Sequence, residues 1–177
     1  NAFLTSSGVM VTVGCTFSLQ GGEISENTGY RGSAVFAYSD SAASRATFRM
    51  TGGTISGNKT AAYGQLTSSG AVFIQDAADF SMEGGAISDN TGGNGAGVCV
   101  VDSGVQSHTA QYKTSFVMDG GVISGNRAVN GINASGGGIY SFSNFVVLNA
   151  GIISGNSAVQ GGGMYSEGNT SSYSTMA

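Results

Sequence analysis

Proline and tryptophan are absent from this sequence, and Asp, Glu, Lys and Arg together supply only 9% of its 177 residues. Turns must therefore be made by residues other than proline. Six scattered basic residues and a net charge of −4 exclude the clustered cationic footprint that nucleic acid requires. No apolar run approaches the ~18–20 residues of a membrane-spanning helix, so no membrane span is expected. No signal peptide is visible and the first residue is Asn1 rather than Met, which predicts a processed product or an excised segment. Only two cysteines occur, Cys15 and Cys99, without metal-type spacing. Several repeats separate them, so the expectation is no internal disulfide and two small buried or half-buried residues.

Glycine is what the chain has in excess, with 31 residues, while Ser, Thr and Asn fill places that charges normally hold. Without a Gly-X-Y period this is not collagen, and an apolar fraction of 40% is enough for a core. The length suits one domain over residues 1–177.

Internal repetition decides the fold. Five segments align: FSLQGGEISEN from Phe17, FRMTGGTISGN from Phe48, FSMEGGAISDN from Phe80, FVMDGGVISGN from Phe116 and FVVLNAGIISGN from Phe145, the last with one extra residue. Their aromatic anchors are 31, 32, 36 and 29 residues apart. Each segment is followed by a Gly- or Ala-preceded apolar stretch, such as SAVFAY at 33–38 and AGVCVV at 96–101. GVMVTV at 8–13 is the same stretch, belonging to a partial first coil over 1–16. The five repeats fill 17–166, and 167–177 is a Ser/Thr-rich tail.

Alternation with period two predicts three short strands per repeat. Phe and the residue two later (Leu19, Met50, Met82, Met118, Val147) face inward on the first. The second is built on Ile24, Ile55, Ile87, Ile123 and Ile153, and the third on Val9, Val35, Val72, Val98, Ile139 and Met164. A helix is excluded, because the Gly-Gly pair of most repeats would cost it about 1 kcal/mol per glycine. The expected fold is all-β: a parallel β-helix solenoid of about six coils, with a right-handed crossover preference. Paired glycines turn the first corner. Asn27, Asn58, Asn90, Asn126 and Asn156 form a structural ladder at the second, where Asn tolerates left-handed geometry.

These motifs resemble the right-handed β-helix repeats of surface proteins. GGAI at Gly84–Ile87, with its variants GGEI, GGTI and GGVI, is similar to the repeat of polymorphic outer membrane proteins. ISGNRAVN and ISGNSAVQGGGMY are similar to repeats of secreted adhesin-like proteins. The FxxN half of the outer membrane motif is poorly kept, since Gln20, Thr51, Glu83, Asp119 or Leu148 stands three after each Phe. The resemblance implies a cell-surface location; the same repeat occurs on adhesins, passenger domains and carbohydrate-active proteins.

Candidate sites are few. Asp76 and Asp102 each lie four residues beyond the inward Val of their coils and should stack about 5 Å apart, with Asp40 nearby. Stacked carboxylates invite a cation, which makes this a Ca²⁺ candidate and otherwise a set of solvated charges. No Lys or Arg is in register with the pair to complete a polysaccharide-cleaving set, so no catalytic residue is assigned. Met10, Phe36, Phe73, Cys99, Tyr140 and Tyr165 form an outward column. It is either cross-strand stacking or an exposed stripe for a glycan or another chain. The longest insertion, 102–115, carries His108, Tyr112 and Lys113, a candidate binding loop or a solvated one.

The expected function is a non-enzymatic, extracellular structural or adhesive role. The chain opens and closes on the same strand type without a capping element, which predicts self-association through solenoid ends, possible end-to-end fibres among the outcomes. The alternative function is a glycan-binding module or a polysaccharide lyase or hydrolase; host or matrix glycans are the other candidate partners.

Overall fold

The computed structural model describes residues 7–61, 69–102, 113–129, 133–142 and 144–168. Every named element among them is a strand. β1 (Val9–Val11) precedes the first repeat, which holds β2 (Thr16–Leu19), β3 (Glu23–Ser25), β4 (Thr28–Gly29) and β5 (Val35–Ser39). The second holds β6 (Ala46–Met50), β7 (Thr54–Ser56), β8 (Lys59–Thr60) and β9 (Val72–Asp76). The third holds β10 (Ala78–Met82), β11 (Ala86–Ser88), β12 (Thr91–Gly92) and β13 (Val98–Val101). In the fourth and fifth the first two strands run on as one, giving β14 (Ser115–Ser124), β15 (Arg127–Ala128), β16 (Ile139–Phe142), β17 (Phe145–Ser154) and β18 (Met164–Glu167).

Each strand pairs, always in parallel, with its counterpart in the neighbouring repeat. The Val strands form one sheet in the order β1-β5-β9-β13-β16-β18. The Phe and Ile strands form a second, in which β14 joins the two columns and β17 pairs with β14. The two-residue strands after Asn27, Asn58, Asn90 and Asn126 make a third sheet, β15-β12-β8-β4, which the alternation pattern did not reveal. Two residues are too few to show a period.

Side chains fall into columns because the registers match residue for residue. Val35 pairs with Val72, Val72 with Val98 and Val98 with Ile139, all fully buried. The rings of Phe17, Phe48, Phe80 and Phe116 stack with centroids 5.5, 4.6 and 4.7 Å apart, nearly parallel. Met50, Met82 and Met118, with Ile55, Ile87 and Ile123, complete the core. No repeat could bury these side chains alone; its neighbours supply the other half of the packing.

The fifth repeat departs from the expected alignment. Val146, not Phe145, pairs with Phe116, and Leu148, not Val147, pairs with Met118. Phe145 sits beside Ser115 on the outer face and is 41% exposed. Counted from Val146, the last segment reads VVLNAGIISGN and has no extra residue. Aligning on an aromatic misplaced it by one, because an aliphatic side chain takes the ring's place. A local irregularity in register does occur between Met118 and Val122. It follows from Ala150, which stands where the fourth repeat has Gly120. A Cβ at Gly120 would lie 2.5 Å from the Glu83 carbonyl oxygen, so alanine cannot take the same path.

Left-handed backbone is also displaced by one residue from its expected place. It belongs not to the ladder asparagines but to the residues before them: Glu26, Gly57, Asp89, Gly125 and Gly155, with φ between 55° and 65°. Cys15 is exposed rather than part of a buried wall, while Cys99 is buried; both thiols are free.

Candidate functional site

The asparagine ladder is the most regular polar feature. In each rung the backbone N–H and the Nδ2 of one asparagine both donate to the Oδ1 of the next. For Asn58 to Asn90 the distances are 2.9 and 3.0 Å, and for Asn126 to Asn156 both are 2.9 Å. Asn27 to Asn58 and Asn90 to Asn126 repeat the pattern. Except at Asn27, the Nδ2 also reaches back to the isoleucine carbonyl of the preceding repeat, from Asn58 to Ile24, Asn90 to Ile55, Asn126 to Ile87 and Asn156 to Ile123. Asn58, Asn90 and Asn126 are buried. The N–H and Nδ2 of Asn58, Asn90 and Asn126 all have protein acceptors, so these rungs are scaffold rather than ligand site.

On the outer face of the Val sheet, Phe36, Phe73, Cys99, Tyr140 and Tyr165 are in register as expected, with Met10 beside Phe36. They do not form an exposed stripe. Phe36, Phe73 and Tyr140 are 4%, 1% and 4% exposed, and with Cys99 and Val101 they make a second buried cluster. Tyr38, Phe142 and the half-buried Tyr165 pack against it. A sugar ring therefore has no open aromatic face at Phe36, Phe73 or Tyr140. Outward on a strand means away from one core, not toward water.

Polar groups ring this cluster. The Arg31 guanidinium lies 5.6 Å over the Phe73 ring and donates to Gln75 Oε1 at 2.9 Å. The Tyr140 hydroxyl donates to Glu167, whose carboxylate also accepts from Tyr165 at 3.4 Å. Burial, reinforced by Glu167, pushes the Tyr140 hydroxyl well above the usual tyrosine range. Burial likewise raises the Cys99 thiol, and burial with Asp40 and Asp76 raises Tyr38. Gln75 and Glu167 fall two residues after Phe73 and Tyr165, so period two could have placed them on this face. Nothing in the repeat pattern marked Arg31.

The acidic set is smaller than expected. Pairing of Val101 with Gln75 brings Asp102 next to Asp76 at the strand ends, and both are buried. Ser39, not Asp40, pairs with Asp76; Asp40 lies one residue further on and is exposed. Asp76 has φ 55° and accepts at Oδ2 from Gln75 Nε2 at 3.2 Å. Thr114 donates its hydroxyl to the Asp76 carbonyl, with the Val101 carbonyl 3.2 Å away. Among the described residues no three of His, Cys, Asp and Glu converge as a metal-holding group. The calcium candidate thus contracts from three carboxylates to the Asp76–Asp102 neighbours.

Of the long insertion, His108 and Tyr112 lie outside the described residues. Lys113 places its Nζ 5.6 Å over the Phe145 ring, and its carbonyl accepts from Arg45 Nη2 at 2.7 Å. Arg45 also pairs with Asp79, and Arg49 with Glu83 at 2.7 Å, across adjacent repeats on the outer face of the Phe sheet.

No helix among the described residues is long and apolar enough to cross a membrane. No protein-family model matches the chain, and no curated protein or solved structure is significantly similar to it.

Proposed function

We propose that the chain is a parallel β-helix, a solenoid of about six coils, and that it serves as an extracellular structural or adhesive module. The observation that carries this reading is the set of ladders. Ile and Asn columns run through all five repeats, the Phe column through four with Val146 taking the ring's place in the fifth, and the Val column continues into Ile139 and Met164. Such a scaffold presents its length variation at the corners. The segments between repeats differ in size while the arm from the Phe position to Asn stays constant, and corner loops on a rigid support suit recognition. A surface carried by Ser, Thr and Asn rather than charge fits contact with glycan or matrix better than binding to a polyanion.

Two measurements test the proposal. A crystal structure should show the coils; an antiparallel or mixed sheet would end the β-helix reading. Beads coated with the protein should adhere to cell surfaces or matrix glycans above beads carrying an inert protein. Equal adhesion, together with cleavage of an acidic polysaccharide that Asp76→Asn and Asp102→Asn abolish, would replace the adhesive role with an enzymatic one.

A further inference from the structure

Three stretches of the chain read Asn-x-Ser/Thr with a middle residue other than proline: Asn58-Lys59-Thr60, Asn133-Ala134-Ser135 and Asn169-Thr170-Ser171. Each is an acceptor sequence for an N-linked glycan. Asn169 lies outside the described residues, and the fold treats the other two in opposite ways. Asn58 is a rung of the ladder and 1% exposed. Its Nδ2 donates to the Ile24 carbonyl at 2.9 Å on one side and to Asn90 Oδ1 at 3.0 Å on the other. An amide bearing a sugar keeps one N–H, so one of these bonds would be lost, and burial leaves no room for the ring. The tripeptide arises because Thr60 stands two residues after the asparagine, where the other repeats have Gly29, Gly92, Ala128 and Ala158.

Asn133 stands on the connection from β15 to β16. It is exposed, and its side-chain amide meets no hydrogen-bond partner among the described residues. The other end of the same tripeptide is tied down. Ala134 and Ser135 are buried, the Ser135 N–H donates to Asn94 Oδ1 at 2.9 Å, and its hydroxyl donates to the Asn133 carbonyl at 2.8 Å. A glycan can leave from Asn133 without disturbing these packed residues. The acceptor rule requires the hydroxyl as well as the amide, so a transferase must engage both. It therefore reaches this tripeptide only before the corner folds and Ser135 is enclosed.

We propose that Asn133 is an acceptor for an N-linked glycan, modified while its corner is unfolded, and that the folded protein carries no glycan on Asn58. In the transfer, Asn133 Nδ2 attacks the anomeric carbon of an oligosaccharide carried on a lipid diphosphate. The carbon–nitrogen bond forms as the carbon–oxygen bond to the diphosphate breaks; the lipid diphosphate leaves, and Nδ2 gives up one proton. From the proposed function the inference takes only that the chain is exported. The experiment supplies export itself, so a failure of the adhesive role and a failure of this site are read separately.

The test secretes the whole protein, behind an added export leader, from a eukaryotic cell in which transfer takes place on the emerging chain. Soluble product that melts cooperatively is collected, and its glycans are located by peptide mass before and after enzymatic release. The peptide containing Asn133 should carry a glycan, and the peptide containing Asn58 should carry none. Mapping by peptide keeps Asn169 from confusing the result. Asn133→Gln should remove the glycan from its peptide and leave the melting temperature of the deglycosylated protein unchanged. Folded product that is bare at Asn133 overturns the proposal, as does folded product glycosylated at Asn58. A fall in melting temperature on Asn133→Gln also overturns it, because the amide would then belong to the packing.

Discussion

Val146 rests on Phe116, and there the four-ring stack gives way to an aliphatic side chain. Val146→Phe should extend the stack by one ring and stabilise the protein by about 0.5–1.5 kcal/mol, the usual worth of an aromatic pair. Phe145→Ser should change stability little, because that ring lies outside the core. Urea denaturation of both variants decides; a larger loss from Phe145→Ser than from Val146→Ser would return the aromatic to the inward column.

Asn90 is fully buried and takes part in three repeats at once. Asn90→Ala leaves the Asn58 N–H and Nδ2 and the Ile55 carbonyl without their partner. At about 1–3 kcal/mol for a buried polar group left unsatisfied, the loss should reach several kcal/mol. Asn27→Ala, on a half-buried rung with one neighbour, should cost distinctly less. Equal losses in chemical denaturation would mean that the ladder is not what holds the repeats in register.

Glu26 holds a φ of 55° that costs an L-residue energy and glycine very little. Glu26→Gly should therefore stabilise the fold by about 0.5–1 kcal/mol despite the added freedom of the unfolded chain. The reverse kind of substitution, Gly125→Ala, should destabilise, since it puts a Cβ on backbone held at φ 65°. Thermal melts of the two variants should move in opposite directions.

Ser141 lies in the core column between Val100 and Ser166, 1% exposed, and its hydroxyl has no hydrogen-bond partner among the described residues. Ser141→Ala removes the desolvated hydroxyl and should add about 1 kcal/mol. A loss of stability on this change would show that the hydroxyl is satisfied.

Alkaline pH should unfold the protein early. Cys99 is buried and its thiol is held above its ordinary pKa of 9.0, as Tyr140 and Tyr38 are above theirs of 10.0. In each case the unfolded chain releases the proton first, so stability is intact below the unfolded pKa and falls as pH rises beyond it. For Cys99 the slope approaches about 1.4 kcal/mol per pH unit above that value. Denaturation at pH 8 and 10 should differ measurably, and Cys99→Ala should flatten the difference; an unchanged slope would place the thiol in contact with water.

The columns were legible in the sequence because period two and a repeat of near-constant length force identical residues into one place. Val72 over Val98 and Ile87 over Ile123 needed nothing more. The misplacement of Phe145 shows the limit of aligning by residue type, where spacing back from Ile153 gives Val146. Burial of Phe36, Phe73 and Tyr140 was hidden for another reason: alternation tells which side of a strand a residue takes, not what covers that side. The Asp76–Asp102 neighbours were found by counting from Val72 and Val98, whereas Asp40 failed the same count by one. Arg31 reaches Phe73 from a turn, and no period describes turns.

The asparagine-to-asparagine bonds all run in one sense, the N–H and Nδ2 of each donating to the Oδ1 of the repeat that follows, while Nδ2 also reaches back to the repeat before. Stacking therefore has an arrow. A repeat laid upside down on its neighbour would set oxygen against oxygen or hydrogen against hydrogen at the rung, so the repeats fit one another only head to tail and in the same orientation.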